Sequence, residues 1–260
     1  MSDNWDTYFT YIDRKPASFF LDLDPWEEGT NEKFVHLYRL SVVLKEPDNI
    51  GLTTNAEAEV LFAAEDSIHD LLDEHYLFVG RVTTEGRRNF YYYTDSEDVN
   101  LLQNLAARSL ENYRYTFGRI EEKEPGAFYR EFLYPNKANW HRLMNRHLVN
   151  KLNELGDTLE KRREVTHWIY FDSAESRRLF QEKVLKDGFR IVDQEQSNQR
   201  YSLCISRNDL VDLHAISGVT DVLVHAAEEC GGDYDGWETK VIEDRKGWLH
   251  GLKKIFKSGE

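Results

Sequence analysis

The sequence predicts the same succession of strands and helices in each half of the chain, and this repetition constrains the fold more than any other feature. Each half alternates stretches with apolar residues at every second position and stretches with apolar residues at helical spacing. In the first half the predicted elements are a strand at 34–44, a helix capped by Asn55 and ending near 74, a hairpin at 76–94, a helix capped by Asp95 or Ser96, and a strand at 113–121. The order is therefore β-α-β-β-α-β.

The second half repeats this order. Its predicted elements are a strand at 166–171, a helix at 173–186, strands at 189–192 and 201–206, a helix at 209–229 and a strand at 234–242. Two successive units of this kind predict an α+β protein made of two ferredoxin-like sandwiches, each with two helices on one face of its sheet.

Two further segments set the expected domain boundaries. Two apolar stretches on either side of a turn predict an N-terminal β-hairpin over 5–23, which extends the first sandwich. Residues 136–163 carry an apolar stripe at helical spacing and are predicted to connect the two sandwiches as a helix. We therefore expect an acidic α+β domain at 1–135, a connecting helix at 136–163 and a second domain at 164–260.

The charge of the chain is concentrated in its first half. The formal net charge is −14, of which residues 1–135 carry −13. An acidic half repels a phosphate backbone, because nucleic-acid affinity depends on cations that neutralise phosphates, so we expect no DNA partner. This half would sooner meet a basic protein surface, although the charge could equally serve solubility alone.

Composition indicates a soluble, cytoplasmic protein. No apolar run approaches the roughly 20 residues that span a bilayer, and the acidic N-terminus does not resemble a signal peptide, so no membrane association is expected. Cys204 and Cys230 are the only cysteines, too few for a disulfide framework or a thiolate zinc site. Cys204 is expected to point into the core of its strand.

The segment Gly231–Glu238, which reads GGDYDGWE, is the densest unusual motif. Its Asp-x-Asp-Gly could suggest a calcium loop, but the further oxygen ligands of an EF-hand are missing. A structural interpretation is stronger, in which the glycines end a helix and the tryptophan packs at the start of a strand. A third interpretation is a recognition site that anchors a basic partner, with contact residues Asp233, Asp235, Gly236, Trp237 and Glu238.

No catalytic, metal or cofactor motif is present in the sequence, so neither enzymatic activity nor a cofactor is expected. Asp221 and His225 lie four residues apart on a predicted helix and could share a metal, but a nearby third ligand is lacking. The aromatic run at 90–93 could form an RNA-stacking platform of the kind found in ferredoxin-like RNA-recognition domains. Aromatic residues that fill the core of a sheet are the simpler explanation.

The second half resembles the family of the regulator of ribonuclease E activity B, a bacterial protein inhibitor of that endoribonuclease. The resemblance is carried by the block 226–229, which ends a helix in acidic residues, and by the Tyr-Asp-Gly-Trp sequence at 234–237. The helix-Gly-Phe-strand passage at 185–191 also matches, and the similarity covers roughly 155–245. The first half resembles a domain-of-unknown-function family that occurs fused to this regulator domain, on its Trp5-Asp6-x-Tyr8 opening and hairpin.

These resemblances imply a cytoplasmic regulatory protein without catalytic activity that binds another protein, with an RNase E-like ribonuclease as its candidate partner. The alternatives are an RNA-binding module or an enzyme whose site has no recognisable motif. The family's inhibitor carries an acidic tail, whereas residues 245–260 of this chain are basic. Within that tail, residues 246–257 combine an apolar stripe at helical spacing with four lysines. We expect them to dock on the acidic first half, the alternatives being a groove of a partner protein and an anionic membrane surface.

Overall fold

The computed structural model describes residues 4–25, 33–197 and 200–242. The chain divides into two compact units, residues 1–135 and 136–260. Each unit has its own antiparallel sheet. The segment 246–257, for which docking on the first half was predicted, lies outside the described residues.

The first unit contains a six-stranded sheet in the order β1-β2-β4-β5-β3-β6. Its elements are β1 (Trp5–Ile12), β2 (Lys15–Asp22), β3 (His36–Val43), α1 (Asn55–His69), β4 (Tyr76–Thr84), β5 (Arg87–Thr94), α2 (Asn100–Ser109) and β6 (Tyr115–Ile120). The four strands β6-β3-β5-β4 have the ferredoxin-like order, and the N-terminal hairpin extends the sheet beside β4. The predicted α+β fold class is confirmed.

Both faces of this first sheet are covered. Helices α1 and α2 pack on one face, where Leu40, Phe90 and Tyr92 are almost fully buried. The segment after β6 covers the other face and contains a single π-helical turn, Tyr129–Leu133. The hydroxyl of Tyr8 donates a hydrogen bond to the carbonyl oxygen of Leu133 at 2.7 Å, which joins the segment to the hairpin.

The second unit contains a four-stranded sheet in the order β10-β7-β9-β8, again the ferredoxin-like arrangement. Its elements are α3 (Lys137–Glu154), β7 (Arg163–Phe171), α4 (Ala174–Lys186), β8 (Arg190–Ser197), β9 (Arg200–Asp209), α5 (Leu213–Glu229) and β10 (Gly232–Thr239). Helix α3, predicted as a connection, packs against α5 inside this unit. The guanidinium of Arg142 donates to the Asp221 carboxylate at 2.6 Å, and the Asn145 amide donates to Thr220 at 2.7 Å.

Three local details differ from the sequence-based expectations. Thr54 rather than Asn55 caps α1, because its hydroxyl accepts the Glu57 N–H. Helix α2 begins after Val99 without a side-chain cap, so neither Asp95 nor Ser96 caps it. Strand β8 continues through the polar stretch that was expected to be a turn, because its residues pair with β9 along the edge of the sheet.

Among the described residues, no helix is both long enough and apolar enough to cross a membrane.

Candidate functional site

The Gly231–Glu238 motif forms the edge strand β10 except for its last residue, and a β-bulge divides the motif. Tyr234 pairs with Ile169 and Gly236 pairs with Trp168, so Asp235 is the extra residue between them. Gly236 has a φ of 153°, which glycine adopts without strain. The bulge decides which side chains of the motif face the helices and which face the opposite side of the sheet.

Tyr234 and Trp237 lie on the helix-covered face. Trp237 is half-buried against a cluster that contains Val149, Leu152 and Val165. Its indole N–H donates to the side-chain oxygen of Asn145 on α3 at 2.7 Å. Trp237 therefore fixes β10 to α3. This position fits the interpretation of Trp237 as a structural residue better than its interpretation as an exposed anchor for a partner.

Tyr234 belongs to a buried polar pair with His167. The hydroxyl of Tyr234 and Nδ1 of His167 lie 2.8 Å apart, within hydrogen-bond distance. Burial, together with the nearby Arg207, lowers the pKa of His167 to about 3, so this side chain is neutral at physiological pH. Burial also raises the pKa of the Tyr234 hydroxyl. The pair links the middle of the motif on β10 to β7, and neither side chain changes its charge near neutral pH.

The acidic side chains of the motif are exposed. Asp233 accepts a hydrogen bond from Lys137 Nζ at 2.7 Å, which ties the start of β10 to the start of α3. Asp233 and Glu238 share the uncovered face of the sheet with Gly236, because they pair with Tyr170 and Thr166 of β7. Asp235 is exposed at the bulge.

The uncovered face of the second sheet, here called the open face, forms a depression of about 510 Å³. Its floor consists of alternate side chains from the two central strands, Trp168 and Tyr170 of β7 and Ser202 and Cys204 of β9. The lining continues onto the edge strand β8 and the start of β9 with Asp193, Glu195, Ser197 and Arg200. The structure thus brings the acidic side chains of β8 and those of β10 to opposite sides of one aromatic floor.

The position of Cys204 corrects a prediction. It was expected in the core, but Leu203 and Ile205 are the buried residues of this strand, and Cys204 lies half-exposed on the open face. Burial raises the pKa of its thiol, and the negative charges of Asp193, Glu238 and Glu164 raise it further. The side chain of Cys204 therefore lies in a negative electrostatic field, and its thiol is protonated at neutral pH.

The other sequence candidates occupy structural positions. Asp221 is engaged by Arg142, and His225 lies 3.1 Å from Glu229, so the two are not arranged around a shared metal. All four aromatic residues at 90–93 are at most 3% exposed, so this run cannot stack on RNA bases. Within the described ranges, no three histidine, cysteine or acidic side chains converge as metal ligands.

Comparison with known proteins gives one family match within each of the two units. The family model described as "Family of unknown function (DUF695)" matches residues 3–134, half of the chain. The chain belongs to this family. The model described as "Regulator of ribonuclease activity B" matches residues 142–239, which include the open face and the motif. Both resemblances stated from the sequence are thereby confirmed.

Two similar solved structures are distant in sequence. A crystal structure of an unknown protein from Galdieria sulphuraria is 14% identical, covers 80% of this chain and 99% of its own, and has a TM-score of 0.23. A crystal structure of a candidate glycine cleavage system transcriptional repressor is 10% identical, covers 79% and 98% of the two chains, and has a TM-score of 0.22. No curated protein matches this chain.

Proposed function

We propose that this protein is a regulator that acts by binding a ribonuclease of the RNase E type, and that it has no catalytic activity of its own. The match of residues 142–239 to a regulator of ribonuclease activity supports a regulatory role and a protein partner. A ribonuclease partner also favours a cytoplasmic location for this protein, because such a ribonuclease acts on RNA in the cytoplasm.

The observation that carries this proposal is the open face of the second unit. A four-stranded sheet in water normally has one face packed and one solvated, and here the solvated face carries two aromatic side chains at its centre. Partly exposed tryptophan and tyrosine side chains are typical of protein-binding surfaces. Strand β10 supplies one border of this surface.

The predicted contact residues take different parts in this proposal. Asp233 and Glu238 are the charged contacts of β10, Asp235 extends them at the bulge, and Gly236 keeps the surface beside Trp168 free of a side chain. Trp237 acts from behind the sheet, where it holds β10 to α3 through Asn145. The expected contact is thus the acidic border of the strand and not its tryptophan.

The test is inhibition of an RNase E-type enzyme from the same organism by the full chain. We expect a stoichiometric complex in sedimentation and slower cleavage of a single-stranded RNA substrate. The variant D233N/D235N/E238Q should inhibit at least tenfold less strongly, because it removes three carboxylates from the proposed contact. A control variant, E154Q/E182Q/E228Q, changes the net charge equally on the helices and should inhibit like the wild type.

Two outcomes would contradict the proposal. One is the absence of any complex with the ribonuclease. The other is inhibition that results from binding the RNA substrate, which would appear as binding to poly(U) with a steep dependence on salt.

A further inference from the structure

The open face has acidic rims on both sides of its aromatic floor. Cross-strand pairing places Asp233, Tyr170, Ser202 and Glu195 in one row and Gly236, Trp168, Cys204 and Asp193 in the next. Strands lie about 4.8 Å apart, so the rims on β10 and β8 are separated by three spacings, or about 14 Å. This width admits one polypeptide segment that lies between the two rims, over the two central strands.

The carboxylates of these rims are only partly neutralised by the protein itself. Asp193, Glu195 and Glu238 form no ion pair with any described residue. Of the nearby cations, Arg190 pairs with Glu164, Lys137 pairs with Asp233 of the β10 rim, and Arg200 lies over the Tyr170 ring. The surface therefore presents negative charge that a cationic partner can compensate.

One arginine of the chain already shows how a guanidinium binds to this floor. The guanidinium carbon of Arg200 lies over the Tyr170 ring, 4.3 Å from its centroid. Trp168 is the next aromatic residue on the same face of β7, and indole is the ring that attracts cations best. Its neighbour across the strands is Gly236, where a Cβ atom would meet nothing within 4 Å. This flank of Trp168 is open.

We propose that the partner segment bound by the open face is rich in arginine, with guanidinium groups stacked on Trp168 and paired with Asp193, Glu195 and Glu238. Arginine suits this surface better than lysine, because one planar group can stack on an aromatic ring and bind a carboxylate with two hydrogen bonds. The inference deepens the proposed function and rests on it for the identity of the protein that carries the segment.

The test is fluorescence anisotropy with two labelled peptides of equal charge, (Ser-Arg-Gly)₄ and (Ser-Lys-Gly)₄, titrated with the full chain. We expect the arginine peptide to bind at least fivefold more tightly than the lysine peptide. The W168L variant should lose about tenfold in affinity for the arginine peptide and should lose most of the preference for arginine, because the stacking ring is gone. W168F, which keeps a ring, should lose less.

Neutralising the rims tests the charged part of the inference. D193N/E195Q/E238Q should weaken binding of both peptides at least tenfold, whereas E154Q/E182Q/E228Q should stay within twofold of the wild type. Equal losses in these two variants would show non-specific attraction and overturn the inference. Equal affinity for the two peptides, or unchanged binding by both Trp168 variants in folded form, would also overturn it.

The same variants separate this inference from the proposed function. If W168L and D193N/E195Q/E238Q still inhibit the ribonuclease fully, the open face is not the contact and the inference is wrong while the function stands. If the wild type binds the arginine peptide as described but neither binds nor inhibits the ribonuclease, the proposed function is wrong while the inference stands.

Discussion

The two units share the ferredoxin-like order of four strands but differ in what lies on the second face of the sheet. In the first unit the segment at 121–134 closes that face, and Tyr91 and Tyr93 of the central strand β5 are buried beneath it. In the second unit the corresponding side chains of β9 are Ser202 and Cys204, which line an open depression. The comparison shows that a short covering segment decides whether the second face of such a sheet is buried or exposed.

The difference can also be read from the hydrogen bonds of the covering segment. The Tyr129 hydroxyl donates to the carbonyl oxygen of Asp22 at 2.6 Å, and Tyr93 donates to the Glu122 carboxylate at 2.8 Å. These tyrosines bury large rings and still satisfy their hydroxyl groups, as buried tyrosines require. The covering segment is therefore part of the fold of the first unit, and that face is not available for a partner.

Acid should produce the largest effect and should separate the two units. Burial lowers the pKa of His167 in the second unit to about 3 and that of His69 in the first unit to about 4. An unfolded histidine titrates near 6.5, so the unfolded chain binds protons first and stability falls as the pH drops from 6.5 towards these values. We expect a loss of roughly 4 kcal/mol for the second unit and roughly 3 kcal/mol for the first.

The first unit should lose even less, because burial raises the pKa of Glu65. A carboxyl with a raised pKa takes up its proton earlier in the folded state, which offsets part of the acid destabilisation. Urea unfolding between pH 7 and pH 3 measures both units. In H167Q, the second unit should be less stable at pH 7 but should show a flatter dependence on pH. Parallel curves for this variant and the wild type would contradict the assignment to His167.

Removing a residue of the covering segment should give the next largest effect. Leu133 is fully buried, so Leu133→Ala leaves a cavity and should lower the free energy of unfolding of the first unit by roughly 3 kcal/mol. Leu101 on α2 is 37% exposed, and Leu101→Ala should cost less than about 1 kcal/mol. Thermal unfolding compares the two variants. Similar costs would mean that the segment does not close the sheet as described.

The smallest effect concerns Trp237 and distinguishes a structural tryptophan from a partner-binding one. Trp237→Phe removes the indole N–H and leaves the oxygen of Asn145, a residue only 1% exposed, without this donor. The second unit should lose about 1–2 kcal/mol of stability. Affinity for the arginine peptide should stay within twofold, because Trp237 lies behind the sheet. A large loss of affinity with unchanged stability would restore Trp237 as an anchor.

The sequence predicted the element order well because most strands alternate apolar and polar residues. The exact bounds of β4 and β5 follow from such patterns on either side of Glu85-Gly86, where both residues have positive φ. Strand β8 was predicted too short, because all eight of its residues are exposed and its pairing with β9 is a tertiary property. The covering turn at 129–133 was missed because the packing of its buried Tyr129 and Leu133 against the sheet is also a tertiary property.

The site was predicted only in part. The motif lies on β10, one border of the proposed contact surface, but the facing of its side chains depends on the bulge, which no periodicity reveals. Trp168 and Tyr170 were missed, although a signal was available: they alternate with the buried Val165, His167 and Ile169. In a four-stranded sheet with both helices on one side, the second set of alternating residues on a central strand must face outward. Two aromatic residues in that set predict an exposed aromatic surface on the sheet.

The bulge at Asp235 determines which sequence changes this surface can tolerate during evolution. Side chains alternate along a strand, so Tyr234 and Trp237, three positions apart, share a face only because one residue is set out of the ladder. Loss of the Asp235 codon would leave a regular strand in which Trp237 still pairs with His167 and Glu238 still pairs with Thr166, so both side chains would keep their faces. Straightening the strand with Asp235 kept in the ladder would instead turn Trp237 towards water and Glu238 inward. The acidic border of β10 can therefore tolerate the deletion of the bulged residue, but not the loss of the bulge with that residue retained.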